Sequence, residues 1–177
     1  MVIETKSSND KATAKECTNI MIQGNDLLKN PEKKLRDFFR FVPISSAFVL
    51  VVLVLCIVWI LLGSASTLTY VCLGLIGAAL VVEFVFVRTM MRLYKTFVTM
   101  ERTVTLSFDE EGIDFDDHTE KKMKLLWSGT AFVRFFPHVV AIFPKTATGI
   151  MILISAEHAD EVRGFLKEKN IGIKVVE

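Results

Sequence analysis

The stretch FVPISSAFVLVVLVLCIVWILLGSASTLTYVCLGLIGAALVV, residues 41–82, runs for 42 positions without one Asp, Glu, Lys or Arg. A helix rises about 1.5 Å per residue and a bilayer core of about 30 Å takes about 20 apolar residues, so this run is long enough for two passes. The small and polar run Gly63, Ser64, Ala65, Ser66, Thr67 divides it. This predicts a transmembrane α-helical hairpin over 43–88, with spans at about 41–62 and 68–87. Trp59 and Tyr70 fall near the outer ends of the two spans, where amphipathic rings suit the interface. A cleaved signal peptide is the competing reading of the first span. Forty residues precede it, however, and its apolar run is far longer than the usual core of about 7–15, so a retained helix fits better.

The hairpin explains the bulk figures. The chain has 177 residues, 51% hydrophobic and 23% charged, with mean hydropathy +0.44 and a formal net charge of +1. Soluble domains seldom average so apolar, and a net charge near zero gives no global attraction to nucleic acid. The charges that exist are placed asymmetrically. Lys33, Lys34, Arg36 and Arg40 precede the first span, Arg88, Arg92 and Lys95 follow the second, and the connecting loop has none. By the positive-inside rule both termini are expected in the cytoplasm, with the protein multi-pass in the inner (cytoplasmic) membrane and the basic residues at the membrane surface.

Within the spans, Glu83 is the sole acid. An ionisable group in hydrocarbon is costly, which makes Glu83 a candidate intramembrane polar site; the plainer expectation is that it snorkels to the interface or pairs with Arg88 or the basic residues before the first span. Gly74, Gly77 and Ala78 are candidate helix-packing residues, with Gly74 and Ala78 at small-xxx-small spacing. They fit either packing against the first span or a homodimer. Cys56 and Cys72 lie at similar distances from the outer turn, and a disulfide would require their faces to meet.

Residues 1–30 are polar and are expected to be mostly flexible, with at most a brief strand at Ile20, Met21 and Ile22. Asn30, Pro31 and Glu32 resemble a helix start, and Leu35, Phe38, Phe39 and Val42 recur at helical spacing among basic residues. This predicts a basic amphipathic juxtamembrane helix over 31–42, ended by Pro43, with a simple extension of the first span as the alternative. Residues 89–102 read as a linker.

From residue 103 the period changes to two. Alternation at 103–108 and 113–116 around Asp109, Glu110, Glu111 and Gly112 predicts a hairpin with Gly112 at a positive-φ turn position. Further strands are expected at 123–127, 131–135, 139–143 and 150–154, then a helix from 156 to about 169 capped by Ser155, and a short strand within 171–176. The reading is an α+β domain at 103–177, a small antiparallel sheet or barrel covered by one helix, with Phe108, Trp127 and Phe165 as core anchors.

These features resemble the YcxB-like family of small bacterial membrane proteins, through Phe108 with Gly112 and Ile113, Leu126 with Trp127 and Ser128, and Phe165 with Leu166. The resemblance covers about residues 35–170. It implies a two-helix hairpin with a cytoplasmic domain similar to pleckstrin-homology barrels, and it implies no particular activity. Before the last helix many family members look like Ile-Pro-Lys-Arg, whereas this chain reads Ile154, Ser155, Ala156, Glu157, which removes basic residues that could meet an anion.

The chemical inventory is thin. Asp109, Glu110, Glu111, Asp114, Asp116 and Asp117 lack the ligand spacing of a calcium loop and fit a solvated hairpin. His118, His138 and His158 are widely spaced with no Cys nearby, so no zinc site is expected. No phosphate loop, nucleophile elbow or redox motif is present, and no cofactor is expected. The expectation is a non-enzymatic membrane protein presenting a protein-interaction domain to another membrane or cytoplasmic protein. The alternative is an accessory or immunity-type protein acting on a transporter or pore through its hairpin.

Overall fold

The computed structural model describes residues 1–6, 10–63, 66–99, 103–116, 122–146, 149 and 151–177. Ser64 and Ala65 of the expected turn, Asp117 of the acidic run, His118, and Ile150 at the start of an expected strand lie outside the described residues. The chain divides into two units, residues 36–93 and a unit formed by 1–35 together with 94–177.

The first unit contains two helices long and apolar enough to cross a membrane, α2 (Phe38–Leu61) and most of α3 (Thr67–Thr99). The Asp37 carboxylate caps α2 by accepting from the Phe39 amide at 3.1 Å. Gly63, at φ 71°, ends it in the left-handed conformation with its amide donating to the Ile60 carbonyl at 3.0 Å. The helices meet at Phe38 and Phe86, whose rings lie edge to face with centroids 5.3 Å apart. Many of their other apolar side chains are left uncovered: Phe48, Leu55, Trp59, Leu75 and Val82 are all more than half exposed.

Two expected boundaries are corrected here. Helix α3 continues through Thr99, so 89–99 is helical and not a linker. That segment contains neither Gly nor Pro to stop it. The expected helix over 31–42 is also not formed. Residues 31–37 are non-helical, α2 starts at Phe38, and Pro43 sits within α2 instead of ahead of it. The reason lies in a contact with the second unit's sheet: the carbonyls of Pro31 and Lys33, which a helix would use internally, accept hydrogen bonds from Arg134 at 2.7 and 2.8 Å.

The second unit is built on two four-stranded sheets. One has the order β1 (Val2–Lys6), β2 (Thr103–Phe108), β3 (Gly112–Asp116), β4 (Lys122–Leu126), all antiparallel. The other has the order β7 (Ile152–Ser155), β6 (Val139–Pro144), β5 (Thr130–Phe135), β8 (Lys174–Val176). The antiparallel sheet or barrel expected from sequence is thus found as two four-stranded sheets, antiparallel except for the β5–β8 pair, which is parallel. Helix α4 (Ala159–Glu168) follows a short 3-10 turn that Ser155 caps. It ends in a Schellman motif, with Asn170 at φ 47° and the Ile171 amide donating to the Leu166 carbonyl at 3.3 Å.

The principal correction concerns residues 1–30. They are not a flexible leader: Val2–Lys6 forms the outer strand β1, and Lys11–Lys29 is a helix, α1, which takes in Ile20, Met21 and Ile22. Asp10 caps it, accepting from the amides of Ala12 and Thr13 at 3.2 and 2.9 Å. Its stripe of Cys17, Ile20 and Leu27 is buried with Phe132, Phe136, Val139, Ala141 and Phe143 on one face of the β5–β6 sheet. The opposite face of that sheet, through Val133, Val140 and Ile142, joins Ile3, Leu106, Ile113 and the α4 residues Val162 and Leu166 in the larger core. Burial on both sides explains why β6 reads as an unbroken apolar run instead of an alternation.

Candidate functional site

The hairpin brings one polar cluster together. Glu83 on α3 accepts hydrogen bonds from the hydroxyls of Ser45 and Ser46 on α2 at 2.9 and 2.7 Å, both at the same oxygen, Oε1. The Ser45 hydroxyl also lies 2.9 Å from the Val42 carbonyl oxygen. The expected pairing of Glu83 with Arg88 is absent among the described residues; its partners there are the two serines. Ser45 and Ser46 were missed in the sequence reading. Two adjacent hydroxyls in the first span, as far from the turn as the lone acid of the second, were the signal that could have found them.

Gly74, Gly77 and Ala78 are exposed, and a Cβ at Gly74 or Gly77 would meet nothing within 4 Å. In helical projection Gly74 lies opposite Glu83, on the face turned away from α2. The small residues therefore do not pack the hairpin internally. Cys56 and Cys72 are both free thiols.

The arginines gather at the hairpin end remote from Gly63. Arg36 and Arg40 flank the start of α2, and Arg88 and Arg92 lie on α3 beyond Phe86; all four are exposed. In the other unit Lys34 is exposed, whereas Lys33 is ion-paired with Asp26 at 2.7 Å.

The acidic hairpin of the β-rich unit is neutralised locally. Asp109 Oδ1 accepts from the amides of Glu111 and Gly112 at 2.8 and 2.7 Å, and Lys124 bridges Asp109 and Glu111 at 2.9 and 3.1 Å. The Lys124 ammonium, foremost, and then the Gly112 amide hold the Asp109 carboxyl below the usual range. Lys169 meets Glu110 at 3.0 Å, and this contact raises the lysine above its ordinary value. Among the described residues no group of three or more His, Cys, Asp or Glu side chains is placed to hold a metal. Gly112 does not have positive φ as expected; its constraint is proximity, since a Cβ there would collide with the Leu125 carbonyl oxygen of the neighbouring strand.

Phe108, Trp127 and Phe165 form one aromatic group, with centroid separations of 5.7 to 6.4 Å, and all three are buried. The Trp127 indole donates to the Asp109 carbonyl at 2.9 Å, tying the core to the acidic turn. A shallow cleft of about 440 Å³ lies between α1 and the end of β6, lined by Met21, Gly24, Leu28, Pro144 and Met151.

Two polar contacts between distant segments tie this unit together. Arg134 carries its guanidinium 4.7 Å from the Phe136 ring centroid while serving the two carbonyls of the 31–33 segment. Glu16 on α1 accepts from the His138 amide at 2.6 Å at the β5–β6 turn. Neither Arg134 nor Glu16 was singled out from sequence, because their partners are backbone groups about 100 residues away.

Compared with protein-family models, characterised proteins and solved structures, the chain matches none.

Proposed function

We propose that the chain is a non-enzymatic integral protein of the inner membrane, crossing it twice with both termini cytoplasmic and presenting its β-rich domain to another protein. Chain connectivity carries the reading. Strand β1 precedes the two apolar helices, β2 follows them, and the two pair over five residues from Val2↔Ser107 to Lys6↔Thr103. Strands that pair share a compartment, so the chain between them must cross a bilayer an even number of times. The two helices supply two crossings, their exposed apolar side chains suit lipid, and the arginines at one end favour a cytoplasmic placement of that end.

The likeness to YcxB-like proteins, and to a pleckstrin-homology-like domain, belongs to this proposal. Its support is the presence of two packed sheets with α4 and the Phe108, Trp127, Phe165 group in their shared core. The contact surfaces best suited to a partner are the outer strands β4, β7 and β8, whose backbone groups can extend a sheet. Basic residues at the hairpin end, not the acidic β2–β3 turn, are the part suited to an anionic leaflet.

Reporter fusions at Ser66 and Glu177 test the topology. They are expected on opposite sides of the membrane, and placement on one side overturns it. For partner binding, a photo-crosslinking residue at Met123 on β4 of the full-length protein should give one discrete protein adduct in cells; no adduct there or on β7 and β8 defeats that part.

A second reading is favoured by the hairpin itself, where Glu83 is engaged across the two helices and the Gly74, Gly77, Ala78 face is open. In it the protein is an accessory or immunity-type component acting on a transporter or pore. Glu83→Gln and Gly74→Leu would then abolish its phenotype, whereas the scaffold reading expects little change.

A further inference from the structure

We propose that Glu83, Ser45, Ser46 and the Val42 carbonyl form a binding site for a single small monovalent cation of the Na⁺ class, between the two apolar helices. The inference rests on the membrane reading of the hairpin, and it begins from a count of donors and acceptors. The Ser45 hydroxyl has one proton and two acceptors at 2.9 Å, the Val42 carbonyl and Glu83 Oε1. Ser46 donates to that same Oε1 at 2.7 Å. Oε2 has no hydrogen-bond partner among the described residues, and no cationic side chain among them meets the carboxylate.

The cluster is therefore rich in acceptors, and no cationic side chain among the described residues offsets its carboxylate, which sits half-buried between the two apolar helices. An unpaired charge of this kind is expensive, and intramembrane acids commonly mark cation positions. One positive charge neutralises it, which selects a monovalent ion over Ca²⁺ or Mg²⁺. The ligands are all hard oxygens: a carboxylate, two hydroxyls and a backbone carbonyl, the donor types that alkali and alkaline-earth cations prefer. The 2.7 to 2.9 Å separations are hydrogen-bond distances, so an ion enters only as the hydroxyls turn and the oxygens move apart, and the smaller ion asks for less movement, which favours Na⁺ over K⁺. On binding, each hydroxyl gives up its hydrogen bond to Oε1, turns its proton outward and presents a lone pair to the ion, so no covalent bond is made or broken.

The test uses full-length protein in phosphatidylcholine and phosphatidylglycerol nanodiscs, melted in NaCl, KCl and choline chloride at equal ionic strength. NaCl is expected to raise Tm by about 5 °C over choline, saturably, and KCl by less. Glu83→Gln and Ser46→Ala should lose the Na⁺ increment. Equilibrium dialysis with radioactive sodium gives a second readout for a variant that folds poorly, with about one ion bound per wild-type chain and none per Glu83→Gln chain. Equal melting in all three salts overturns the proposal. So does an increment that survives both substitutions, or stabilisation by acid alone, which would assign the cluster to a proton. Release of the protein from membranes by alkaline carbonate would instead refute the membrane reading beneath it.

Discussion

Arg134, on the central strand β5, donates from its Nη1 to the carbonyl oxygen of Lys33 at 2.8 Å, and to that of Pro31 at 2.7 Å. The contact spans about 100 residues of sequence and fastens the segment after α1 to the sheet. Lys174 on β8 adds a second tie, meeting Glu32 at 3.1 Å. Burial lowers the affinity of Arg134 for its proton, yet guanidinium stays charged throughout the accessible pH range, so the two carbonyls do the work of a counter-ion.

Arg134→Met should therefore cost about 2–3 kcal/mol, the range for hydrogen bonds to a charged group together with lost packing. Arg134→Lys should restore only part of this, because an ammonium can donate to two carbonyls as Nη1 does but cannot lay a planar guanidinium over the Phe136 ring. Hydrogen exchange checks the mechanism: the Lys33 amide, which donates to the Asn30 carbonyl, should exchange faster in both variants, with the amides of β2 and β3 unchanged.

Gly112→Ala should destabilise the domain by about 2–3 kcal/mol through collision with the Leu125 carbonyl. Gly129→Ala serves as the comparison, since a Cβ there meets nothing within 4 Å, and it should change stability by less than about 1 kcal/mol. Thermal melts of the two variants side by side decide the matter.

Glu16 sets a pH dependence. Burial raises its carboxyl above the ordinary 4.5, with the His138 amide opposing part of the effect. The folded protein thus holds this proton more tightly than the unfolded chain. Its contribution to stability is fully present below the ordinary glutamate value and is lost as pH rises through the raised one. Glu16→Gln, which keeps an acceptor for the His138 amide without the charge, should be more stable relative to wild type at pH 7 than at pH 4. A Tm difference that does not grow over that interval would contradict this account.

Cys17 is buried on the sheet-facing side of α1, and desolvation, assisted by Glu16, pushes its thiol up to about 12. Thiolate is the reacting species, so iodoacetamide at pH 8 should leave Cys17 unmodified in folded protein and label it fully in denaturant. Peptide mass spectrometry reads the outcome directly.

The apolar helices and most strands were legible in the sequence because each carries its own period. Residues 103–108 alternate, and 41–82 are uniformly apolar. What escaped was everything whose stability comes from distant chain. Val2–Lys6 is too short to show a period and is defined by pairing with β2. Helix α1 is polar on average, though Asp10 before a stripe of Ala14, Cys17, Ile20 and Leu27 is a start signal followed by helical spacing. The unbroken apolar run of β6 was a further clue, since such a strand needs cover on both faces and α4 can provide only one. In the candidate site, Glu83 was visible as a lone acid. Its serine partners were not, because their position depends on the register of α2 against α3.

The pairing of β1 with β2 also has a temporal side. A ribosome completes Val2–Lys6 about 100 residues before it makes Thr103–Phe108, and the whole apolar hairpin is synthesised in between. The first strand and α1 therefore wait, unpartnered and with Ile3, Ile20 and Leu27 uncovered, until the hairpin has been dealt with and the second half arrives. Pairing of the two strands thereby constrains insertion: if the helices cross a bilayer, a chain in which only one of them entered would hold its two halves on opposite sides, leaving both open to proteolysis.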